Sequence, residues 1–212
     1  FMTKIFFFLV SYFLLTSCVQ GQDNPINELI QTEATSTEID TLPIHQRLKE
    51  KALALKSYLK KYPNYNQKTA ILIDMHQHSG KKRLFVYDLD SMKILSSSLV
   101  SHGSGSETGI KDSLQFSNTP NSYMSSLGKY KIGGSYIGNF GKSYKLHGLD
   151  ATNSKAYDRL VVLHRYSCVP DEEQVYEICN SLGCPMVSEN YFLELDSYIS
   201  ASKKPMLMEI YY

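Results

Sequence analysis

The chain has 212 residues, 42% of them hydrophobic and 12% aromatic, with 22 Lys and Arg against 21 Asp and Glu. That is enough apolar content for one globular core. The charge is too evenly balanced for a polyphosphate-binding field or for a chain kept unfolded by self-repulsion, which disfavours nucleic acid as a partner.

In chain order, Lys4 precedes an apolar run over residues 5–15 that is shorter than a bilayer span, and residues 1–21 read as an export signal. Leu15, Thr16, Ser17 and Cys18 resemble the lipobox of bacterial lipoproteins, while Val19, Gln20 and Gly21 offer an ordinary cleavage site. The expectation is an exported bacterial protein, periplasmic or an outer-membrane lipoprotein, touching a membrane only through a lipid on Cys18. Residues 22–43, rich in Asn, Thr, Ser, Glu and Asp, read as a flexible tether. Leu48, Ala52, Leu55 and Leu59 then recur every three or four residues until Pro63, which predicts an amphipathic helix within residues 44–66.

Runs of β-branched and aromatic residues over 70–75, 83–88, 93–100, 127–132, 144–146, 160–163 and 205–212 predict strands, separated by Gly and Ser. Residues 171–180 look helical. The expected fold is mostly β, an antiparallel sandwich or closed sheet over residues 67–212, with the helix before it and short helices on its rim.

With Cys18 in the export region, Cys168, Cys179 and Cys184 leave an odd number for an exported fold. A disulfide between Cys168 and Cys179 explains the parity best and frees Cys184. Cys184 follows Ser181, Leu182 and Gly183 and precedes Pro185; a glycine there lets backbone amides approach a ligand closely. Upstream, His164 closes the apolar run over 160–163 at a strand end. A free thiol is mostly protonated at neutral pH, and an imidazole within reach can take its proton, giving a nucleophile and its base. Attack on an amide makes an oxyanion, for which the N–H groups of Gly183 and Cys184 are the nearest donors, with Ser181 supporting the turn.

The same residues admit blander readings. Cys184 also reads as a buried structural thiol or a disulfide partner, and His164 as a satisfied core histidine. A zinc site of His164, Cys168, Cys179 and Cys184 would have gaps of three, ten and four residues, unlike compact zinc spacings, so no metal or organic cofactor is expected. A papain-like amidase places its Cys before its His, the reverse of the order here. His76 and His78 read as hairpin-turn residues.

A His at the end of an apolar strand, sixteen intervening residues, then Ser181, Leu182, Gly183 and Cys184, resembles the signature of the L,D-transpeptidase catalytic domain, the YkuD-like family. The likeness continues through residues 99–105, 116–118 and 125–130, and Gly148 and Leu149, and covers residues 72–212. It implies a β-sandwich carrying a cysteine acyl transferase that acts on peptidoglycan stem peptides. Cys184 would hold the stem as a thioester after the terminal D-Ala leaves, and a second stem's amine, or water, would accept it. His147, His102, Ser126 and Arg165 are the expected cleft residues. Leu182, Asn180 and Arg165 depart from the family pattern, which often has His, Arg, and Gly or Ser at those places. The alternative from another class is a catalytically silent peptidoglycan-binding module of the same fold.

Overall fold

The computed structural model describes residues 43–212. The expected export signal over 1–21, Cys18, and the tether up to residue 42 lie outside the described residues.

Pro43 heads helix α1 (Ile44–Lys60), whose Leu48, Ala52, Leu55 and Leu59 form one fully buried stripe. The stripe packs on Ala70, Leu72, Phe85, Tyr87, Leu207 and Tyr211, each leucine or phenylalanine contributing about 1.5–3 kcal/mol of apolar burial. A buried ion pair fixes the helix to the sheet: Arg47 donates from Nε (3.0 Å) and Nη2 (2.8 Å) to Asp74 Oδ2.

Eight strands follow: β1 (Thr69–Asp74), β2 (Leu84–Asp88), β3 (Lys93–Ser98), β4 (Gly128–Gly138), β5 (Gly141–Gly148), β6 (Val162–Arg165), β7 (Met186–Val187) and β8 (Leu207–Tyr211). They make one mixed sheet in the order β3-β2-β1-β8-β4-β5-β6-β7. The last strand, β8, enters the middle of the sheet, parallel to β1 and antiparallel to β4. Its side chains alternate between two cores: Leu207 and Tyr211 face α1, and Met208 and Ile210 join the larger cluster on the opposite face. Helix α2 (Glu189–Ala201) covers that second face with Tyr191, Phe192, Leu195 and Ile199, and Ser188 caps it by accepting the Tyr191 N–H at 3.1 Å.

The mostly-β class holds, with α1 where the periodicity places it. The two layers of a sandwich are instead two faces of one continuous sheet, each covered by a helix. β4 and β5 run past their expected ends because the register shifts between Ile132 and Ser135, so Gly133 and Gly134 are absorbed as a bulge rather than ending the strand. Short 3-10 turns at Ser104–Ser106 and Ala151–Asn153 are the rim helices.

Residues 171–180 are not helical. The disulfide sets the Cα atoms of Cys168 and Cys179 6.1 Å apart, so the segment between them folds back on itself. The backbone N–H groups of Gln174 and Ile178 go to the Gly80 carbonyl and Ser79 Oγ instead of to helical partners.

Candidate active site

Cys184 lies between the Cys168–Cys179 disulfide and β7 and is the free cysteine of the described residues. A second segment, residues 101–104, braces it from behind. Ser181 N–H donates to the His102 carbonyl (2.8 Å) and Ser104 N–H to the Ser181 carbonyl (2.8 Å). Ser101 holds Met186 from both sides, its N–H on the Met186 carbonyl (2.9 Å) and its Oγ accepting the Met186 N–H (3.1 Å). The two segments meet glycine on glycine: a Cβ on Gly103 would sit 2.8 Å from Gly183 Cα and 2.1 Å from the Tyr123 carbonyl oxygen. Gly183 itself has φ +117, a conformation L side chains rarely adopt.

The Cys184 sulfur accepts the Val162 N–H at 3.4 Å and faces the Leu160 carbonyl at 3.8 Å. Burial pushes the thiol above its ordinary pKa, opposed by the Val162 N–H and by Arg159.

His164 is 2% exposed on β6. Its Nδ1 lies 3.0 Å from the Arg165 carbonyl, which can only accept, so Nδ1 carries the hydrogen and Nε2 keeps its lone pair. The ring stacks on Phe140 with centroids 4.1 Å apart. Burial lowers the His164 pKa, opposed by the Arg165 carbonyl. In the parallel β6–β7 register His164 pairs with Met186, so the same register two residues earlier sets Val162 beside Cys184. Val162 and His164 share a sheet face. Imidazole and thiol thus belong to adjacent segments, with the described contacts of the sulfur to Val162 and Leu160 and no hydrogen bond joining it to His164.

The other expected site residues are dispersed. Gly183 N–H is occupied by Ser181 Oγ at 3.0 Å, so of the two expected donors it shapes the turn. His102 sits behind the loop, its Nδ1 accepting from Arg83 Nη2 (2.8 Å) and its Nε2 donating to Glu107 (2.5 Å). Ser126 Oγ bonds the Tyr130 hydroxyl at 2.6 Å, deep beside the loop. His147 stacks on Tyr157 (4.7 Å), and burial, then Lys131 and Lys145, lower its pKa. Tyr157 lines a cleft of about 430 Å³ with Tyr136, Lys145, Leu160, Val161 and Val162, on the edge where Leu160 and Val162 meet the sulfur. The Arg165 guanidinium lies against Gly141, while its carbonyl accepts from His164 Nδ1. Asn180 donates to Glu107, and Leu182 is exposed.

The disulfide removes two thiols from the zinc arrangement considered above. Sequence reasoning missed Arg83, Glu107 and Arg159, charges that belong to no motif and whose partners, His102 for Arg83, Asn180 for Glu107 and Ser117 for Arg159, lie in other segments.

The chain matches the L,D-transpeptidase catalytic domain over residues 43–208. It belongs to that family. A comparison with curated proteins gives no match. Among solved structures, the chain is similar to an L,D-transpeptidase from Xylanimonas cellulosilytica (15% identity, TM-score 0.38, 68% of this chain and 60% of that one). It is also similar to an L,D-transpeptidase from Mycobacterium smegmatis (8%, TM-score 0.41, 68% and 59%). A third is the helical cell shape determining protein Pgp2 from Campylobacter jejuni (11%, TM-score 0.43, 68% and 47%). The chain spans between 47% and 60% of the length of these three. Within the family's signature, the departures at Leu182, Asn180 and Arg165 leave the thiol free and the Arg165 carbonyl on the imidazole.

Proposed function

We propose that the protein is an exported cysteine acyl transferase acting on peptidoglycan stem peptides, with Cys184 as nucleophile and His164 as general base and then acid. The observation that carries this reading is the pairing of Cys168 with Cys179, which leaves one thiol, held on the Val162 N–H two residues before His164, whose Nε2 is unprotonated. The cleft lined by Leu160 and Val162, the residues whose backbone meets the sulfur, offers aromatic walls and the ammonium of Lys145, which lies over the Tyr136 and Tyr157 rings, features suited to a peptide bearing carboxylates.

In this mechanism the resting pair is neutral, a thiol and an imidazole, because burial raises the pKa of one and lowers that of the other. As a stem's penultimate carbonyl approaches, Nε2 takes the thiol proton and sulfur bonds to the carbonyl carbon. The oxyanion meets the Cys184 N–H. Collapse breaks the C–N bond, the imidazolium protonates the departing D-Ala amine, and a thioester remains on Cys184. The second half reverses the roles: His164 takes a proton from an amine or water, which attacks the thioester and restores the thiol. An amine forms a cross-link, and water trims the stem.

The unformed hydrogen bond between thiol and imidazole favours a second reading, a silent peptidoglycan-binding module. Mass measurement after incubation with a carbapenem separates the two. The transferase gains one covalent adduct, absent in Cys184→Ala; an unmodified wild-type chain supports the binding module.

A further inference from the structure

Arg159 lies in the turn entering β6, its own N–H on the Lys155 carbonyl. The next residue, Leu160, turns through φ 58 and presents its carbonyl to the Cys184 sulfur. The guanidinium reaches back over the loop: a Cβ placed on Gly183, the neighbour of Cys184, would be 3.4 Å from Nη2. Nη1 donates to the Ser117 carbonyl (2.7 Å) and Ser126 Oγ (3.4 Å), and Nη2 to the Met124 carbonyl (2.6 Å) and Ser122 Oγ (3.4 Å). All four acceptors are neutral. Among the described residues no carboxylate forms an ion pair with Arg159.

The ionisable groups acting on Arg159 are Tyr130 and Cys184. Tyr130 is fully buried, donates to the Ser126 carbonyl at 2.7 Å, and is pushed by burial to a pKa of about 12, so it stays a neutral phenol. His164 is also neutral at rest, since burial lowers its pKa. A clasp for two carbonyls needs only N–H donors, which an uncharged amide supplies. A partly desolvated guanidinium among neutral acceptors is a positive charge with no negative partner, and the group beside it able to become negative is the thiol.

We propose that Arg159 is a positioning residue for the nucleophile, its guanidinium serving as counter-charge to the Cys184 thiolate. The proposal rests on Cys184 being the nucleophile. When His164 takes the thiol proton, the anion forms beside a cation already fixed by four hydrogen bonds, with little reorganisation needed.

The test is the pH profile of Cys184 alkylation by iodoacetamide in the full chain, with peptide mass mapping to separate Cys184 from Cys18. Arg159→Gln keeps N–H donors without the charge, and Arg159→Lys keeps the charge. The Gln variant is expected to alkylate about tenfold more slowly at neutral pH while reaching the wild-type plateau in alkali, and the Lys variant to stay within about threefold of wild type. A Gln profile superimposable on wild type overturns the proposal, as does a Lys variant that falls as far as Gln. Wild type alone gives a second measurement that needs no variant to fold. Anionic iodoacetate, relative to iodoacetamide, reacts faster with Cys184 than with free cysteine; an equal or lower ratio contradicts the counter-charge. Failure of wild-type Cys184 to alkylate at any pH defeats the nucleophile reading itself, a result distinct from an unshifted profile.

Discussion

Two arginines flank the loop that carries Cys184; both donate to neutral acceptors, and they differ in burial and in the charges around them. Arg83 is 1% exposed and donates to the Val100 carbonyl (2.9 Å), the Gln77 carbonyl (3.2 Å) and His102 Nδ1 (2.8 Å), with Glu107 closing the chain on the far side of the imidazole. Burial drives its pKa down to about 9 against the pull of Asp74, Glu107 and Glu177. Arg159 is partly exposed, bonds neutral acceptors and answers to no carboxylate. A charge enclosed within the field of three carboxylates fixes a shape; a charge left without one is available to a reaction. The first kind builds the brace behind residues 180–186, and the second lies against Gly183, the neighbour of Cys184.

The largest expected effect lies on the enclosed side. Arg83→Met leaves the buried Val100 carbonyl and His102 Nδ1 without their donor and should cost about 3–5 kcal/mol of stability in urea unfolding; a loss as small as that of an average surface substitution would break the contrast. Next is the covalent clamp at the other end of the loop. Cys168→Ser with Cys179→Ser should lower stability by about 2–4 kcal/mol while leaving part of the Cys184 alkylation rate, as measured on the folded protein. Free thiols at both positions in the unreduced protein would remove that clamp from the account.

The smallest effect is a slope with pH. Burial first, then Arg83, hold His102 below the ordinary histidine pKa, with Glu107 opposing them. The unfolded chain therefore takes up a proton that the folded chain resists. Stability is full above about pH 6.5 and declines as the pH falls through the folded value. His102→Gln, which can accept from Arg83 and donate to Glu107, should flatten this part of the curve; an unchanged slope assigns it to other groups.

What the sequence revealed follows from how local each signal is. Leu48, Ala52, Leu55 and Leu59 announce α1 because helical spacing needs only its own residues, and the strand runs are similarly self-contained. Helix α2 went unseen because Tyr191, Phe192, Tyr198 and Ile199 are residues that favour strands, and it is their burial against Leu163 and Tyr144 on the sheet that makes them helical. The false helix over 171–180 has helix-compatible residues, but a disulfide and the Ser79–Gly80 turn claim its ends and amides. At the site, the order of His164 and Cys184 and the parity of the cysteines could be read. The diversion of Gly183 N–H to Ser181, the burial of His102 behind the loop, and Arg159 could not, since each depends on segments more than one strand away or on the geometry of a turn.

The most direct test of the central claim is chemical trapping. A purified tetrapeptide stem is mixed with the protein, the reaction is quenched in acid, and both the Cys184 peptide mass and the released D-Ala are measured. The account predicts a stem thioester on Cys184 with equimolar D-Ala in wild type, and neither in Cys184→Ala or His164→Ala. D-Ala released by the Cys184→Ala protein at the wild-type rate would contradict it.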